Sequence, residues 1–522
     1  GDEFLGYERW EDYGNYSTYL EGNITYDQRF GNHSVSALLL YNQRNYDDGD
    51  QVPYRTQGFA GRAAYTYADR YIAEFNFGYN GSENFAKGNR FGFFPSIAAG
   101  WIVSEEEFMR PVQNYINKLK LRASYGLAGN DRFYNDDGSQ KRFAYITTIG
   151  TTDGYKWGNS NAFYDKGGLR EGDPGVESLT WETVKKANVG IELGLFKMAE
   201  LQVDFFHERR EDIFMQRKNI PSSAGFPSAP WANYGIVTNK GFDISLDLNK
   251  QINKDWFISA RASVTYAKNK IIEQDEDLGV LGTYRSSTGK PVGQIFGLVN
   301  DGLYTEADFE DVTTGKLKPG LPVPKFSDRV YPGDIKYVDF NGDGEITETD
   351  KTAIGGTVNP ELVYGFGINL SYKNIDFGAF FQGNGRTYRI IGENQKNFLP
   401  GSTIGAEGNI FTNASDAWTV DNPSQDVFYP RLHMGYNANN AQVSDWWLKD
   451  MSMLRLKNVE LGYSFSKNLI KKAAMEYARI FVRGTNLLQF SKFDLWDPEL
   501  NTSNGLKYPI MATYSIGLQV RF

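Results

Sequence analysis

The sequence has no cysteine and only three histidines, His33, His207 and His433. Without cysteine there is neither a disulfide framework nor a thiolate metal site. None of the histidines stands in a metal-binding spacing such as His-Glu-x-x-His, or beside a Gly-x-Ser-x-Gly nucleophile motif. We therefore predict that this protein is not an enzyme.

Long apolar runs are also absent. The longest, such as residues 36–41, fall far short of the roughly 18 to 20 residues that a membrane-spanning helix needs, which excludes a helical membrane protein. The net charge of −9 has no basic stripe within it, which argues against a nucleic-acid partner. Acidic pairs such as Glu105–Glu106 lie in expected turns, where solvated charge is the ordinary role and a glycosidase pair is not indicated.

Aromatic residues and glycine are abundant, with 15% aromatic residues and 55 glycines, a composition suited to short strands and tight turns. Between Trp256 and Tyr266, apolar side chains occupy every second position, and Ser, Arg and Thr lie between them. At about 3.3 Å per residue and a tilt near 40°, this segment spans about 25 Å, the height of the apolar band of a transmembrane barrel.

Alternation of this kind recurs along the whole chain and predicts fifteen strands. They are residues 15–30, 33–46, 55–68, 71–84, 90–104, 117–129, 179–196, 200–216, 237–250, 255–273, 361–373, 375–386, 453–466, 477–491 and 507–522.

The connections between these strands alternate in length. Short turns are expected at positions such as Gly31–Asn32 and Lys373–Asn374, and long loops at 130–178, 217–236, 274–360 and 387–452. Short turns on one side and long, extracellular loops on the other are typical of outer-membrane barrels. The last strand ends in Phe522, as in barrels that the outer-membrane assembly machinery recognises. The expected fold class is therefore all-β, a transmembrane antiparallel β-barrel of the cell outer membrane with lipid against one face.

Residues 339–350 have the spacing of a calcium loop, with a glycine at its sixth position. The oxygen ligands expected at positions 1, 3, 5, 7, 9 and 12 belong to Asp339, Asn341, Asp343, Glu345 through its carbonyl, Thr347 and Asp350. The last position has Asp instead of the usual bidentate Glu, and no helices flank the loop, so we expect a structural Ca²⁺ of modest affinity. The alternative is a pair of Asn-Gly and Asp-Gly turns in a surface loop.

Aromatic residues are concentrated in the loops expected to be extracellular. Aromatic faces stack on sugar rings and anchor peptides, but they also brace long loops or contact a partner protein. The candidate substrate-contacting residues are Trp157, Trp231, Tyr234, Trp418 and Trp447. Further loop aromatics are Tyr155, Tyr429, Trp446 and Trp496.

Phrases spread over nearly the whole chain resemble the SusC/RagA-like TonB-dependent transporters of Bacteroidetes. They are YNGSENF at 79–85, NRFGFFPS at 89–96, GWIVSEE at 100–106, LKLRASYG at 119–126, NKGF at 239–242, LRLKN at 454–458 and NLL at 486–488. The resemblance implies a 22-stranded barrel with a plug, driven through TonB-ExbB-ExbD and capped by a SusD-like lipoprotein. Such pairs import oligosaccharides or, in some members, peptides.

The resemblance also predicts which part of the transporter is present. The plug and the TonB-contacting segment of this family lie before the barrel, so residues 1–522 correspond to the C-terminal barrel portion, strands about 8 to 22, with the plug and first strands missing. Counting fourteen reversals back from the last strand makes residues 15–30 run inward and the turn at Gly31–Asn32 periplasmic. The competing functions are a passive porin or adhesin-type barrel and, from another class, a soluble glycan-binding or hydrolytic β-protein. The alternation of loop lengths and the terminal Phe522 weigh against the soluble protein.

Overall fold

The computed structural model describes residues 14–47, 49, 52–135, 138–159, 162–226, 228–392, 412–471 and 474–522. Among these residues, helix is limited to short segments of three to six residues. None of these helices is long enough and apolar enough to span a membrane.

Within the described residues, fifteen strands form one antiparallel sheet, and their order along the sheet is their order along the chain. They are β1 Tyr16–Phe30, β2 His33–Asp47, β3 Tyr54–Tyr67, β4 Tyr71–Ser82, β5 Phe91–Ile102, β6 Ile116–Asn130, β7 Glu182–Leu195, β8 Ala199–Gln216, β9 Trp231–Gln251, β10 Trp256–Glu273, β11 Leu362–Tyr372, β12 Ile375–Gly385, β13 Met453–Ser464, β14 Tyr477–Ser491 and β15 Thr513–Arg521.

Each of the fifteen predicted segments falls on one of these strands, so the predicted fold class is confirmed. The largest differences are at β9, which begins at Trp231 and not at 237, and at β15, which begins at Thr513 and not at 507. The expected loop 217–236 is therefore shorter, ending at residue 230. Strand bounds follow backbone hydrogen bonds, which need no alternation of side chains, and this is why periodicity misplaced them.

Tight turns connect strands at one edge of the sheet, which we call the short-turn edge. β1 pairs with β2 without a register shift, from Tyr16 opposite Asp47 to Phe30 opposite His33. The turn between them needs a left-handed residue, supplied by Gly31 at a φ of +60°. The predicted two-residue turn therefore fixes the register of the first hairpin.

Aromatic rings line the short-turn edge on neighbouring strands. The ring centroids of His33 and Tyr67 are 5.0 Å apart, and those of Tyr67 and Tyr71, and of Tyr71 and Trp101, are each 6.4 Å apart. Above them on β5, Phe93 and other alternate apolar side chains are exposed. An exposed apolar band bordered by aromatic rings is the surface that a barrel presents to lipid and its interface.

Contacts divide the chain into two compact units, residues 1–242 with 271–278, and residues 243–270 with 279–522. In unit 1 the connections contain two short paired strands, Phe133–Tyr134 with Gln140–Lys141, and a longer hairpin, Ile149–Asn159 with Ala162–Glu171. Its short helices are Val103–Glu105, Glu107–Val112 and Ser222–Ala224.

Unit 2 contains more structure in its loops. The paired short strands are Gln294–Gly297 with Thr352–Thr357, Asn300–Leu303 with Ile335–Tyr337, Phe309–Asp311 with Lys316–Leu317, Val323–Pro324 with Glu345–Ile346, and Tyr388–Ile390 with Leu448–Asp450. Its short helices are Glu306–Asp308, Glu348–Asp350, Thr412–Ser415, Lys467–Ile470 and Pro498–Leu500.

Candidate functional site

The long connections leave the sheet at the edge opposite the tight turns, which we call the long-loop edge. In unit 1 they include 83–90, 131–181 and 217–230, and in unit 2 they include 279–361, 386–452 and 492–512, as far as the chain is described. The expected long loops lie there. Any ligand approaching from the long-loop side therefore meets these segments before it meets the sheet.

The loops of unit 1 pack around a small aromatic core. Phe85, Phe133, Leu179 and Trp181 are buried in it, and the rings of Phe85 and Phe133 meet edge to face at 5.6 Å. The indole N–H of Trp181 donates to the carbonyl oxygen of Arg90 at 3.2 Å. This core joins the two connections 83–90 and 131–181 and holds them as one surface.

Two adjoining cavities open beside this core, with volumes of about 320 and 360 Å³. Both are lined by Arg55, Thr56, Ser82 and Glu83. The Glu83 carboxylate accepts a hydrogen bond from the guanidinium of Arg142 at 2.5 Å. The arginines are unremarkable in the sequence, and the pairing of β2 with β3 and the folded loops bring them together.

Asp275 fastens the connection after β8 to the end of β10 within unit 1. Its carboxylate is buried and accepts hydrogen bonds from the Arg217 guanidinium at 2.8 Å and the Lys218 backbone N–H at 2.7 Å. The Asn219 side chain donates to the other carboxylate oxygen at 2.8 Å. Burial disfavours the charged carboxylate, but these hydrogen bonds outweigh it and hold the pKa of Asp275 well below its usual range.

The loops of unit 2 have a larger core, which includes the fully buried Ile335, Tyr337 and Tyr429. Burial raises the pKa of the Tyr429 phenol to about 12. Beside this core the buried carboxylate of Asp334 accepts hydrogen bonds from the Asn440 side chain at 2.8 Å and the Tyr331 backbone N–H at 2.8 Å. Buried polar groups with partners of this kind fix one arrangement of the loops.

Two of the predicted substrate residues, Trp418 and Trp447, lie inside this core. Trp418 is 7% exposed and Trp447 is 3% exposed. The Trp447 indole N–H donates to the Asn440 carbonyl at 2.8 Å, and the Trp418 ring lies against Gly333. Their burial agrees with the alternative role of bracing the loops.

The other predicted aromatic residues belong to unit 1. Trp231 is half-buried and stacks on Phe214 with ring centroids 4.6 Å apart, and the Arg217 guanidinium lies 4.3 Å from the ring of the half-buried Tyr234. Both begin β9 at the long-loop edge. Trp157 belongs to the strand Ile149–Asn159, but its side chain lies outside the described residues.

The predicted calcium loop has its carboxylates turned onto its own backbone. Asp339 accepts from the Gly342 and Gly344 N–H groups at 2.7 and 2.9 Å, and Asp343 accepts from the Glu345 N–H at 2.8 Å. Within the described residues, no group of three or more Asp, Glu or His side chains has an arrangement that could hold a metal ion. The Ca²⁺ site stays a prediction.

The remaining predicted ligands lie in the same short loop. Asp350 is fully buried and accepts from the Phe340 N–H at 2.9 Å and the Thr347 N–H at 2.8 Å. The side-chain amide of Asn341 donates to Asp343 at 2.8 Å. The set is made of carboxylate, amide, hydroxyl and carbonyl oxygens, which are the hard ligands that Ca²⁺ prefers.

A charged network on the sheet was missed by the sequence reasoning. In unit 2, Arg479 pairs with Asp376 and with Glu460, the latter at 2.6 Å, and Arg483 donates to Glu460 at 2.6 Å. Asp376, Glu460 and Arg483 line an open cavity with a volume of about 730 Å³. The signal was present in the sequence as charges on the polar positions of alternating strands, but the partners are on different strands.

No protein-family model matches the chain. It is 30% identical over 506 residues to a TonB-dependent receptor of Formosa agariphila, covering 92% of this chain and 47% of that receptor. It is 25% identical over 489 residues to the TonB-dependent receptor SusC of Bacteroides thetaiotaomicron, covering 91% of this chain and 45% of SusC. The solved RagAB peptide transporter matches with a TM-score of 0.71 at 21% identity, over 97% of this chain and 55% of that one.

The antiparallel sheet, its exposed apolar face and its aromatic border are those of an outer-membrane β-barrel. The relatives give the particular kind: the chain is similar to SusC-like TonB-dependent receptors of Bacteroidetes, and the predicted resemblance and outer-membrane location are confirmed. The chain spans about half the length of the curated relatives that it matches. These relatives are named as TonB-dependent receptors.

Proposed function

We propose that this chain is part of a transporter that imports oligosaccharides, or peptides, across the outer membrane with energy supplied through TonB-ExbB-ExbD. The observation that carries the proposal is the match to TonB-dependent receptors over nine-tenths of the chain. The solved structure it resembles is described as a peptide transporter, which is why peptides stay within the proposal.

The charged network on the sheet supports a role in import and not a purely structural role for this wall. Arg479, Glu460 and Arg483 are costly to place in a wall unless that face meets water or a polar protein segment. The opposite, apolar face meets lipid. A wall with one charged and one apolar face is suited to enclose a polar path.

For the substrate contact we propose Trp231, Tyr234 and Trp157, at or near the long-loop edge of unit 1. Trp231 and Tyr234 are half-buried, so each keeps part of its ring accessible. The indole N–H of Trp231 is buried and has no hydrogen-bond partner among the described residues, so the proposed contact is through the exposed part of the ring. Trp418 and Trp447 instead hold the loops in shape.

We propose that the loops 274–360 and 387–452 contact a SusD-like surface lipoprotein. Unit 2 exposes apolar side chains within and beside these loops, including Leu281, Val323 and Met434. Apolar side chains that remain exposed on a structured loop are suited to a protein partner. Co-purification in mild detergent tests this, and a transporter that runs alone and still imports substrate contradicts it.

We propose that the fifteen strands correspond to about strands 8 to 22 of a 22-stranded barrel with a plug. In the described chain β1 pairs on one side only, with β2, and β15 on one side only, with β14. Open edges of this kind are not stable in lipid, so each needs a further strand. A structure of the whole transporter in which residues 15–30 run outward would contradict the count.

We propose further that residues 339–350 bind Ca²⁺ as a structural ion. Asp339, Asn341, Asp343, Glu345, Thr347 and Asp350 would hold it, and its charge would offset the acidic residues of the loop. The nearness of these oxygen groups along one tight loop supports the proposal.

The import proposal is tested in cells that carry the full-length gene. The transporter should take up its oligosaccharide or peptide only with an intact TonB and a proton gradient, and should migrate faster on SDS gels before heating than after. A passive porin or adhesin-type barrel is the alternative. Uptake that continues unchanged without TonB would establish the porin, and binding to surfaces without uptake would establish the adhesin.

A further inference from the structure

The two adjoining cavities of unit 1, which we call the arginine cleft, have a lining unlike the chain as a whole. Arg44, Arg55 and Arg132 line the first cavity and Arg55 and Arg90 the second. The chain carries a net charge of −9, yet cations predominate among the described residues of this lining. Such a local reversal of charge attracts anions.

The acidic residues of the cleft are fewer than its arginines. Glu83 is paired with Arg142, which does not line the cavities itself, so its charge is already offset. Asp131 is the other acid in the lining. No carboxylate lies within ion-pair distance of Arg44, Arg55 or Arg132 in the described part of the chain. The Nε of Arg55 donates to the Asn45 side chain at 3.3 Å and that of Arg44 to the Ser17 hydroxyl at 3.5 Å, so the remaining guanidinium N–H groups are the ones available to an anion.

A second observation is the side chain of Asn84, which lines the first cavity and is 5% exposed. Its Nδ2 donates to the Asp131 carbonyl at 3.0 Å, which fixes the orientation of the amide. Its Oδ1 then has no hydrogen-bond partner among the described residues. A buried acceptor without a partner is costly, and a ligand hydroxyl would satisfy it.

Aromatic rings complete the lining. Tyr46 and Tyr54 lie in the first cavity with ring centroids 5.9 Å apart, and Phe91 and Phe143 lie in the second. The Arg44 guanidinium lies 5.6 Å from the Tyr46 ring. Each cavity is in the range of about 300 to 1,000 Å³ that is usual for ligand sites.

We propose that the arginine cleft binds an anionic oligosaccharide, one that carries carboxylate or sulfate groups. Guanidinium groups bind either anion through paired N–H donors. The aromatic rings stack on the apolar faces of the sugar rings, and the Asn84 oxygen accepts from a hydroxyl. This inference rests on the proposed import function and narrows its substrate class.

A sugar is favoured over an acidic peptide for two reasons. The strands β2, β3 and β4 that border the cleft are each paired on both sides, so no free strand edge is offered to an extended peptide backbone. The lining also includes Gln43, Gln57 and Gln140, and side-chain amides both donate and accept, as sugar hydroxyls do.

The test uses the full-length transporter purified in detergent, with calorimetric titration of defined probes. The probes are short oligogalacturonates, sulfated dextran oligosaccharides, neutral malto-oligosaccharides of the same lengths, and hexaglutamate. We expect one of the two charged sugar classes to bind, with affinity falling as salt rises. The carboxylated and sulfated probes distinguish the two sources of negative charge.

Arg55→Gln is the informative variant because Arg55 lines both cavities. We expect it to weaken binding of the charged sugar by about tenfold or more, since a charge-assisted hydrogen bond is lost. Arg132→Gln provides a second variant at the rim. Arg110→Gln is the matched control, because Arg110 is exposed at the short-turn edge and its loss should change nothing. Unchanged heat-modifiability on SDS gels shows that each variant has folded.

The inference fails if neutral and charged sugars bind equally, if hexaglutamate alone binds, or if Arg55→Gln and Arg132→Gln leave the affinity of the charged sugar unchanged. The proposed function fails separately. If the wild-type transporter takes up no oligosaccharide or peptide in a TonB-dependent manner, import itself is wrong, whereas TonB-dependent uptake of a neutral sugar alone overturns only the charge preference.

Discussion

The guanidinium of Arg455 donates to both carboxylate oxygens of Asp497 at 2.6 Å, although 42 positions separate the two residues. Arg455 lies on β13 with its side chain 3% exposed, and Asp497 precedes the short helix Pro498–Leu500 in the connection to β15. Glu499 lies 2.9 Å from the same guanidinium. This pair anchors the connection 492–512 to the sheet.

Asp497→Asn should therefore loosen that connection. We expect a local cost of about 1 to 3 kcal/mol, because a charged hydrogen-bond partner of a buried guanidinium is lost while Glu499 remains. Hydrogen–deuterium exchange over 492–512 measures it. Asp494→Asn is the control, since Asp494 is exposed in the same connection. Equal exchange in the two variants would mean that the pair does not hold the loop.

The ring of Trp418 leaves no room for a side chain at position 333, which is therefore a glycine. Gly333 has a φ of +90°, and a Cβ built there would lie 2.3 Å from the Trp418 ring. Gly333→Ala should cost about 2 to 4 kcal/mol, from overpacking and from the left-handed backbone together. Differential scanning calorimetry of the detergent-purified transporter would measure the lowered unfolding temperature.

Gly320→Ala separates these two causes. Gly320 has a nearly identical φ of +91°, but no atom lies within 4 Å of its Cβ position. Its substitution should cost about 1 kcal/mol, the backbone contribution alone. If Gly320→Ala is as damaging as Gly333→Ala, the contact with Trp418 has no energetic weight.

The hydrogen bonds that Asp275 accepts from residues 217–219 should persist in mild acid. Its pKa is depressed in the folded protein, so its contribution to stability is fully present above the ordinary aspartate pKa of about 3.9 and is lost only as pH falls through the lower folded value. Exchange protection of 217–219 should therefore be unchanged between about pH 7 and pH 4. Asp275→Asn should remove this protection at every pH, and the lost charged hydrogen bonds should cost about 1.5 to 3 kcal/mol of local stability. Protection that declines around pH 5 in the wild type would contradict this prediction.

The proposed Ca²⁺ site at residues 339–350 can be tested independently of the rest of the protein. Added Ca²⁺ should raise the unfolding temperature of the unit 2 loops, with a dissociation constant of about 10⁻⁴ to 10⁻³ M. The double variant Asp339→Asn with Asp343→Asn should abolish the shift, and EDTA should reverse it. Asp328→Asn, an exposed acid of the same long loop, is the control. A shift that survives the double variant would place the ion elsewhere.

Sequence periodicity was sufficient to predict the strands of the sheet, because the alternation of side chains in a strand is visible in a short stretch of sequence. Side chains alternate between lipid and the polar interior at every second residue, so segments such as 256–273 could be recognised one at a time. The tight turns followed in the same way, since Gly31 meets a backbone requirement that involves only its neighbours. Order and direction along the sheet then followed from hairpin connectivity.

The sequence alone determined the fifteen strands, their order and the relation to TonB-dependent transporters. Tertiary structure decided which loop residues are accessible, because burial depends on segments distant in the chain. The Trp418 ring is buried against Gly333, and the arginine cleft is lined by the ends of β2 and β3 together with the loops after β4 and β6. The ion pairs of Arg455 and Asp275 join residues 42 and 58 positions apart, a separation that no local pattern encodes.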